Sequence, residues 1–336
     1  MTILGIESSC DETAAAVYGP GGLRSNVIAS QTIHERYGGV VPELASRAHQ
    51  RTIWGTVEQA LGEAGCTLND IEAVAVTNGP GLMGALLVGL CFAKGFALRQ
   101  DIPLIGVNHM DAHIYANFID ENPEYPFLGL VVSGGHTQIV LVEAPMQHTI
   151  LGRTRDDAAG EAFDKIGKIL GLPYPAGPVM DRLAQLGDPH FHRFPQALMN
   201  EGLDFSYSGL KTSALYHIQG IPDDQKDEYL NDHLNDLCAS ISHAITEVLV
   251  KKVKRALNQY PVKTIVLAGG VSANSMLRKK TEGLAKRHDL NLHIPKIEYC
   301  TDNAAMIAVT GYIKAGLGQF DDMSLKPYAS QGGVNS

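Results

Sequence analysis

The sequence predicts an α/β protein built from two similar lobes that face one cleft. The chain has 336 residues, 45% of them apolar, and this length suits about two domains with well-buried cores. A pair of apolar segments separated by a polar turn occurs twice along the chain. A helical segment, a buried strand and a Gly-rich turn follow each pair. Duplication of one α/β unit explains this repeat most simply.

The first lobe begins with two short strands. Residues 2–9 (TILGIESS) form an apolar run that ends in polar residues, and residues 14–19 (AAAVYG) form the returning strand. A helix is predicted from about residue 48 to residue 64, because apolar residues share one stripe there. Residues 71–98 then predict a buried strand, a Gly-rich turn and an apolar helix, and residues 103–108 predict the next strand.

The second lobe repeats this order. Residues 127–144 (FLGLVVSGGHTQIVLVEA) predict two strands, and a long amphipathic helix, a strand and a further helix starting near Ser275 follow. We expect the first lobe to span residues 1–122 with a C-terminal tail at about 325–336, and the second to span 123–324. Within it, residues 150–230 form an insertion rich in Gly, Pro, His and Asp that we expect to cover the cleft.

Composition limits the cellular setting and the partners. The N-terminus lacks a basic region and is acidic at Asp11 and Glu12, and no apolar run is expected to span a membrane, so we predict a cytoplasmic protein without membrane contact. Five scattered cysteines favour reduced thiols. The net charge of −9 argues against broad nucleic-acid binding, although two basic clusters lie at 251–255 and 278–287.

The segment NHMDAH places His109 and His113 at i and i+4, so that one helix face could direct both imidazoles at one metal ion. Two histidines that merely share a helix face are the simpler alternative. Met110 occupies the position where a HExxH metalloprotease has its glutamate. A third ligand must therefore come from elsewhere, and Asp302 is the candidate, with helix capping as its alternative role.

Two Gly-rich turns are candidates for binding the phosphate of a nucleotide. Residues 131–136 (VVSGGH) and 267–274 (LAGGVSAN) each follow a strand, where backbone N–H groups can approach an anion. Neither matches the P-loop or dinucleotide fingerprint, and each could be a simple tight turn. Asn274 could bind ribose or base edges or form the turn itself. Asp164 and Asp181 could accept ribose hydrogen bonds or merely solubilise their helices.

These motifs together resemble one protein family. In order and spacing the chain is similar to the TsaD family of bacterial tRNA threonylcarbamoyladenosine transferase subunits, within the wider Kae/Qri family. The resemblance covers essentially the whole chain and rests on nine motifs: GIESSCDET, YGGVVPELASRAH, NGPGLMGALLVG, HMDAH, VSGGHTQ, DDAAGEAFDK, DFSYSGLKT, AGGVSAN and CTDNAAM. One departure is Ala176, where the family commonly has glycine.

The resemblance implies a duplicated actin/hexokinase/Hsp70-like (ASKHA) two-lobe fold. It implies transfer of a threonylcarbamoyl group from threonylcarbamoyl-AMP to the exocyclic amine of the adenosine adjacent to the anticodon, in tRNAs reading codons that begin with A. It also implies one divalent metal per chain, iron(II) or alternatively zinc, held by His109, His113 and Asp302. The residues implied to contact the adenylate are Val131, Val132, Ser133, Gly134, Gly135, Asp164, Gly177, Asp181 and Asn274.

The resemblance further implies partner proteins, namely a paralogous small subunit (TsaB-like), an ATPase subunit (TsaE-like) and a separate synthase that makes the adenylate (TsaC-like). The sequence leaves the catalytic base open, with Glu12 and His136 as candidates. Three alternative functions remain. They are an ATP-dependent kinase or ATPase of the same fold, a zinc peptidase, which is an old label for the family, and a nucleotide-sensing scaffold.

Overall fold

The computed structural model describes residues 1–31 and 39–329. The chain forms two compact units, one comprising Met1–Asn122 and the segment from Thr301 onward, the other Pro123–Cys300. The strands are β1 (Ile3–Glu7), β2 (Thr13–Gly19), β3 (Gly22–Ala29), β4 (Ala73–Gly79), β5 (Leu104–Asn108), β6 (Phe127–Val132), β7 (Thr137–Ala144), β8 (Gln147–Arg153), β9 (Thr264–Ala268) and β10 (Asn291–His293). The α-helices are α1 (Pro42–Glu63), α2 (Met83–Gln100), α3 (His109–Tyr115), α4 (Ala159–Ile169), α5 (Ala176–Ala184), α6 (Ser208–Gln219), α7 (Lys226–Gln259), α8 (Ser275–His288) and α9 (Ala304–Gly316).

Each unit contains a five-stranded mixed sheet of the same topology. The strand order is β3-β2-β1-β4-β5 in the first unit and β10-β9-β6-β7-β8 in the second. In both, the first three strands form an antiparallel meander, and the later two run parallel to the first strand. The duplication predicted from the sequence is therefore present. The third strand of each meander, β3 or β8, was not predicted.

The C-terminal helix α9 belongs to the first unit. It packs on β1 and β2, and a Cβ atom on Gly5 would lie 2.6 Å from the backbone nitrogen of Ala308. This close approach requires a residue without a side chain at position 5. The chain thus returns to the first unit at Thr301. The expected return at about residue 325 was too late, because the apolar helix α9 already packs on the sheet of the first unit.

Helix α2 is long and apolar enough to cross a membrane by length and composition alone, although no segment was predicted to do so. Its buried face contributes Leu90, Ala93 and Phe96 to the core of the first unit. The packing against β4 and α1 accounts for the apolar residues on that face.

The insertion at residues 150–230 contains several helices joined by irregular segments. After the end of β8 it contains α4, α5, α6 and the start of α7, whose apolar faces join one core with β6 and β9. The connecting segment from 185 to 207 has no regular helix or strand. The insertion therefore forms an integral part of the second unit's core.

Candidate metal centre and nucleotide-binding segments

The two histidines of the HMDAH motif lie on adjacent turns of α3. The helix begins directly after β5 because Asn108 caps it, its Oδ1 accepting hydrogen bonds from the backbone of Met110 at 2.8 Å and of Asp111 at 3.1 Å. His109 and His113 are 8% and 1% exposed, and their ring centroids are 4.7 Å apart. The local sequence therefore builds a buried imidazole pair, as the spacing predicts.

Asp302 completes a three-residue cluster from a distant part of the chain. Its Oδ1 lies 3.4 Å from Nε2 of His109 and 3.3 Å from Nε2 of His113. One possible ligand atom from each of the three residues lies within 4.8 Å of the others. Capping of α9, the alternative role for Asp302, belongs instead to Asn303, whose Oδ1 accepts from the backbone of Met306 at 3.0 Å.

Glu7, which was not among the predicted site residues, orients His109. Its Oε2 lies 3.1 Å from Nδ1 of His109 and accepts a hydrogen bond of 2.7 Å from Thr77 Oγ1. Ser9 Oγ lies 3.2 Å from the same histidine nitrogen and its backbone N–H donates to the other Glu7 oxygen. The signal available in the sequence was an acid at the end of an apolar strand, in the motif GIESS. The structure buries this acid fully. Such a carboxylate fixes which histidine nitrogen faces a metal ion.

The charges of this cluster are strongly coupled. Burial alone would lower the pKa of His109, but Asp302 and Glu7 raise it well above its usual value. Burial would raise the pKa values of Glu7 and Asp302, yet the His109 charge and its hydrogen bonds lower both. Without a metal, the proton on His109 thus offsets part of the negative charge of Glu7 and Asp302.

The cluster fits a divalent metal ion. Among the described residues neither buried ring nitrogen of His113 makes a well-formed hydrogen bond, and the one group facing Nε2 is Asp302 at 3.3 Å. Two imidazoles and one carboxylate suit iron(II) and zinc, and leave positions open for a substrate. A buried imidazole without a well-formed hydrogen bond is costly unless something binds it.

The candidate nucleotide-binding segments come together within the second unit. The turn between β6 and β7 is closed by a 2.8 Å hydrogen bond from the backbone of Ser133 to the carbonyl of His136, and Gly160 donates to the Ser133 carbonyl at 3.2 Å. Gly269 passes close to Val132 with a φ of +83°, where a Cβ atom would lie 2.5 Å from the Val132 carbonyl oxygen. Glycine is therefore required at position 269.

The two predicted carboxylates bind helix N-termini. Asp164 Oδ1 accepts from the backbone of Ala176 at 2.8 Å and of Gly177 at 3.4 Å, at the start of α5. Asp181 Oδ1 accepts from the backbone and hydroxyl of Ser275 at 3.0 and 2.8 Å, at the start of α8. Burial raises the pKa of Asp164 despite these hydrogen bonds. Both acids thus join elements of the second unit, a role that differs from the predicted ribose contact and from a solubilising one.

Asn274 caps α8, which agrees with turn formation, the alternative that the sequence offered to ligand binding. Its Oδ1 accepts from the backbone of Leu277 at 2.9 Å. The side chain is 7% exposed, and its amide nitrogen has no hydrogen-bond partner among the described residues. One donor of this buried amide is therefore available to a ligand.

A family model described as TsaD, tRNA N6-adenosine threonylcarbamoyltransferase, matches residues 22–309. The chain belongs to this family. The threonylcarbamoyltransferase of Chloroherpeton thalassium is 53% identical over 332 residues, covering 95% of this chain and 93% of that protein. That of Salinibacter ruber is 50% identical and covers 98% and 99%. The protein is thus a transferase that forms threonylcarbamoyladenosine in tRNA, as the sequence resemblance implied.

Solved structures resemble this TsaD-family member in fold. Component A of the Acidaminococcus fermentans (R)-2-hydroxyglutaryl-CoA dehydratase has a TM-score of 0.56 at 13% identity, covering 94% of this chain and 99% of that one. The ROK hexokinase of Thermus thermophilus has a TM-score of 0.51 at 17% identity, covering 95% and 100%. The expected actin/hexokinase/Hsp70-like fold is therefore confirmed. At such identities the likeness to a hexokinase concerns the fold alone.

The two candidate bases of this transferase lie in different units. Glu12 belongs to the first unit, where burial and then the charges of Asp302 and Asp11 raise its pKa to about 9. Without a nearby cation, Glu12 is therefore protonated near neutral pH. His136 lies in the β6–β7 turn of the second unit, and its backbone N–H donates to Ser133 Oγ at 3.1 Å.

Proposed function

We propose that this threonylcarbamoyltransferase uses threonylcarbamoyl-AMP as donor and acts on the adenosine adjacent to the anticodon. The acceptor tRNAs would be those that read codons beginning with A. The observation that carries the mechanistic part is the cluster of two buried histidines, His109 and His113, with the partly exposed Asp302. The donor carbonyl carries a good leaving group, so the site needs to position two substrates and stabilise charge, and no covalent nucleophile is required.

His109, His113 and Asp302 would hold one divalent ion, iron(II) in the first place and zinc as the alternative. When bound, the ion supplies positive charge that polarises a donor carbonyl and stabilises the negative charge that develops there. Glu7 keeps His109 in the orientation in which Nε2 faces Asp302. Burial of both histidines excludes water that would weaken these interactions.

The second unit would bind the adenylate part of the donor. Gly134 and Gly135 are exposed in the β6–β7 turn, and a Cβ atom on either would have no neighbour within 4 Å. Their backbone N–H groups can approach a phosphate. Val131 and Val132, buried at the end of β6, and Ser133, whose N–H donates to His136, would hold the turn in place for this contact. The free amide nitrogen of Asn274 would donate to the nucleoside. Asp164, Gly177 and Asp181 support this surface by joining α4, α5 and α8.

The attacking amine must lose a proton, and Glu12 is the stronger candidate for the base. The carboxyl is close enough to Asp302 for that charge to raise its pKa, so a cation held by Asp302 would lower the pKa again. Glu12 would then become an acceptor when the site is loaded. His136 serves as the alternative base from the adenylate-binding turn.

The reaction would proceed in the cytoplasm with partner proteins. We propose a TsaB-like paralogous small subunit, a TsaE-like ATPase and a TsaC-like synthase that supplies the adenylate. The test is reconstitution with purified chain, tRNA and separately made threonylcarbamoyl-AMP, with and without the partners and a chelator. We expect metal-dependent incorporation of threonine into tRNA. Incorporation that is unaffected by a chelator that strips the ion would contradict the metal-dependent mechanism.

A kinase, a peptidase or a scaffold would behave differently in the same assay. ATP hydrolysis coupled to phosphorylation of a small substrate would support a kinase, and cleavage of a protein substrate would support a peptidase. A chain that binds nucleotide but never modifies tRNA, even with all partners present, would support a scaffold.

A further inference from the structure

The second unit contains a cavity of about 770 Å³ that the proposed transfer does not use. It lies between the irregular segment from Pro189 to Asn200 and the middle of α7, where Ser240, Glu247 and Lys251 line it. This volume falls within the range of sites that bind small molecules or single nucleotides. Its lining is polar and rich in histidine, which distinguishes it from an apolar docking groove.

The cavity is locally basic in an acidic protein. Arg193 and Lys251 line it, and Lys280 donates to the lining carboxylate of Glu247 at 3.0 Å. Lys251 also pairs with Glu247 at 3.6 Å and is 52% exposed. Oδ1 of the adjoining Asp188 accepts a hydrogen bond of 2.8 Å from the backbone N–H of His190. Two cations, Arg193 and Lys251, therefore line the cavity together with one carboxylate, Glu247, that is already paired, whereas the whole chain carries a charge of −9.

Several polar groups in the lining have no protein partner. Among the described residues, the side chains of Arg193, Gln196 and Asn200 make no hydrogen bond or ion pair. A guanidinium and two amides offer planar donors that match phosphate oxygens and base edges. Their convergence on one cavity supports a ligand that is anionic and also carries hydrogen-bonding groups.

Ring surfaces lie beside these donors. His190, an exposed lining residue, contacts His243 with ring centroids 4.9 Å apart. Next to it, Phe191 stacks on His233 at 4.8 Å with an interplanar angle of 24°. His192 packs against His217 at 4.1 Å. Unstacked bases of RNA loops bind on such aromatic and imidazole rings while their phosphates bind cations.

Several cations of the two basic clusters, at 251–255 and 278–287, donate hydrogen bonds within the protein and are not free to bind RNA. Lys252 is fully buried and donates to carbonyls of the segment 198–202, and Arg255 donates to Gly202 at 3.0 Å. Arg278 donates to the carbonyls of Ser272 and Pro295 at 2.7 and 3.0 Å. These cations stabilise the protein itself, so the clusters are poorer RNA-binding surfaces than their sequence indicates.

We propose that this cavity is an accessory tRNA-binding site that holds one backbone phosphate and its unstacked base. Arg193 and Lys251 bind the phosphate, Gln196 and Asn200 bind the edge of the base, and His190 supplies a stacking surface. The site accounts for tRNA binding by an acidic protein without a broad basic face. This inference rests on the function proposed above, in which tRNA is the acceptor.

The test compares the double variant Arg193→Gln/Lys251→Gln with Lys254→Gln/Arg287→Gln in the full-length protein. The control pair changes the net charge equally, at exposed residues outside the cavity and without protein partners among the described residues. For the cavity pair we expect the tRNA Kd to rise on the order of tenfold at moderate salt and the salt slope to fall by about one, because one phosphate contact is lost. We expect less than about a twofold change in Kd for the control pair.

A second comparison isolates base stacking. His190→Ala should weaken tRNA binding by about fivefold or more without changing the salt slope, because it removes a ring and no fixed charge. His288→Ala, an exposed histidine on α8, is the matched control. Circular dichroism and thermal melting of each variant verify that the fold is retained.

The outcomes separate this inference from the function on which it rests. In the reconstituted reaction the cavity pair should raise KM for tRNA and leave kcat and threonylcarbamoyl-AMP binding unchanged. An unchanged tRNA Kd, or an equal loss in both pairs, would overturn the cavity as the site while wild-type transfer still supports the function. Binding of AMP or inorganic phosphate that the cavity pair abolishes, with tRNA binding intact, would identify a small-molecule site instead. Absence of wild-type transfer would count against the proposed function itself.

Discussion

Oε2 of Glu7 lies 3.1 Å from Nδ1 of His109, and the opposite ring nitrogen of the same histidine faces Asp302 at 3.4 Å. His109 is thus held between two carboxylates, one that orients it and one that shares the candidate metal centre. A histidine arranged in this way has a defined ring orientation, which makes it a better ligand than an isolated imidazole.

Replacing Glu7 should therefore weaken metal binding without removing any ligand. We expect Glu7→Gln to lower metal affinity about 10- to 100-fold, because the amide binds His109 less strongly than a carboxylate does. Competition with a chromophoric chelator measures the affinity. Glu63→Gln on the exposed end of α1 is the control and should leave it unchanged. Equal affinities in the two variants would show that Glu7 has no orienting role.

The roles of Asp302 and Asn303 can be separated by mutation. Asp302→Ala should lose tightly bound metal, as His109→Ala and His113→Ala should, because each removes one of three ligands. Asn303→Ala should keep the metal but lose about 0.5–2 kcal/mol of stability, since it removes the cap of α9. Elemental analysis and chemical denaturation give the two readouts. A metal-replete Asp302→Ala protein would contradict the proposed ligand set.

Metal affinity should increase with pH. Burial disfavours the charged form of His109, but Asp302 and Glu7 raise its pKa well above the usual value, so an incoming ion must displace a proton. Protonated His109 stabilises the metal-free fold at low pH, and this contribution is lost as the pH rises through the raised pKa. Chelator competition between about pH 6 and about pH 8 should show tighter binding at each higher pH. A pH-independent affinity would mean that His109 does not bind the ion.

Asn274 combines a structural and a binding role that two substitutions distinguish. Asn274→Ala should lower the affinity for a stable adenylate analogue by about one to two decades and also destabilise α8 by about 1 kcal/mol. Asn274→Asp should restore the cap, because its carboxylate still accepts from Leu277, but it should not restore adenylate binding. Calorimetric titration and thermal melting measure the two effects. Restored adenylate affinity in Asn274→Asp would show that the amide nitrogen makes no contact.

The sequence was sufficient for the features that depend on local spacing and on repetition. The alternation of strands, Gly turns and helices occurs twice, and the structure contains two sheets of one topology. The pair His109 and His113 follows from the period of a helix, which places residues four apart on one face. The family was evident from the order of its motifs and is confirmed over residues 22–309.

Only the tertiary structure decided which distant groups meet. Glu7 and Asp302 are separated by almost the whole chain, and they reach His109 because α9 packs on β1 through the space left by Gly5. The role of Lys252 also depends on tertiary packing. In the sequence it belongs to a basic cluster, but in the structure its buried ammonium donates to loop carbonyls. Local spacing determines which side chains share a helix face, whereas charge, pKa and ligand geometry depend on long-range packing that no short segment encodes.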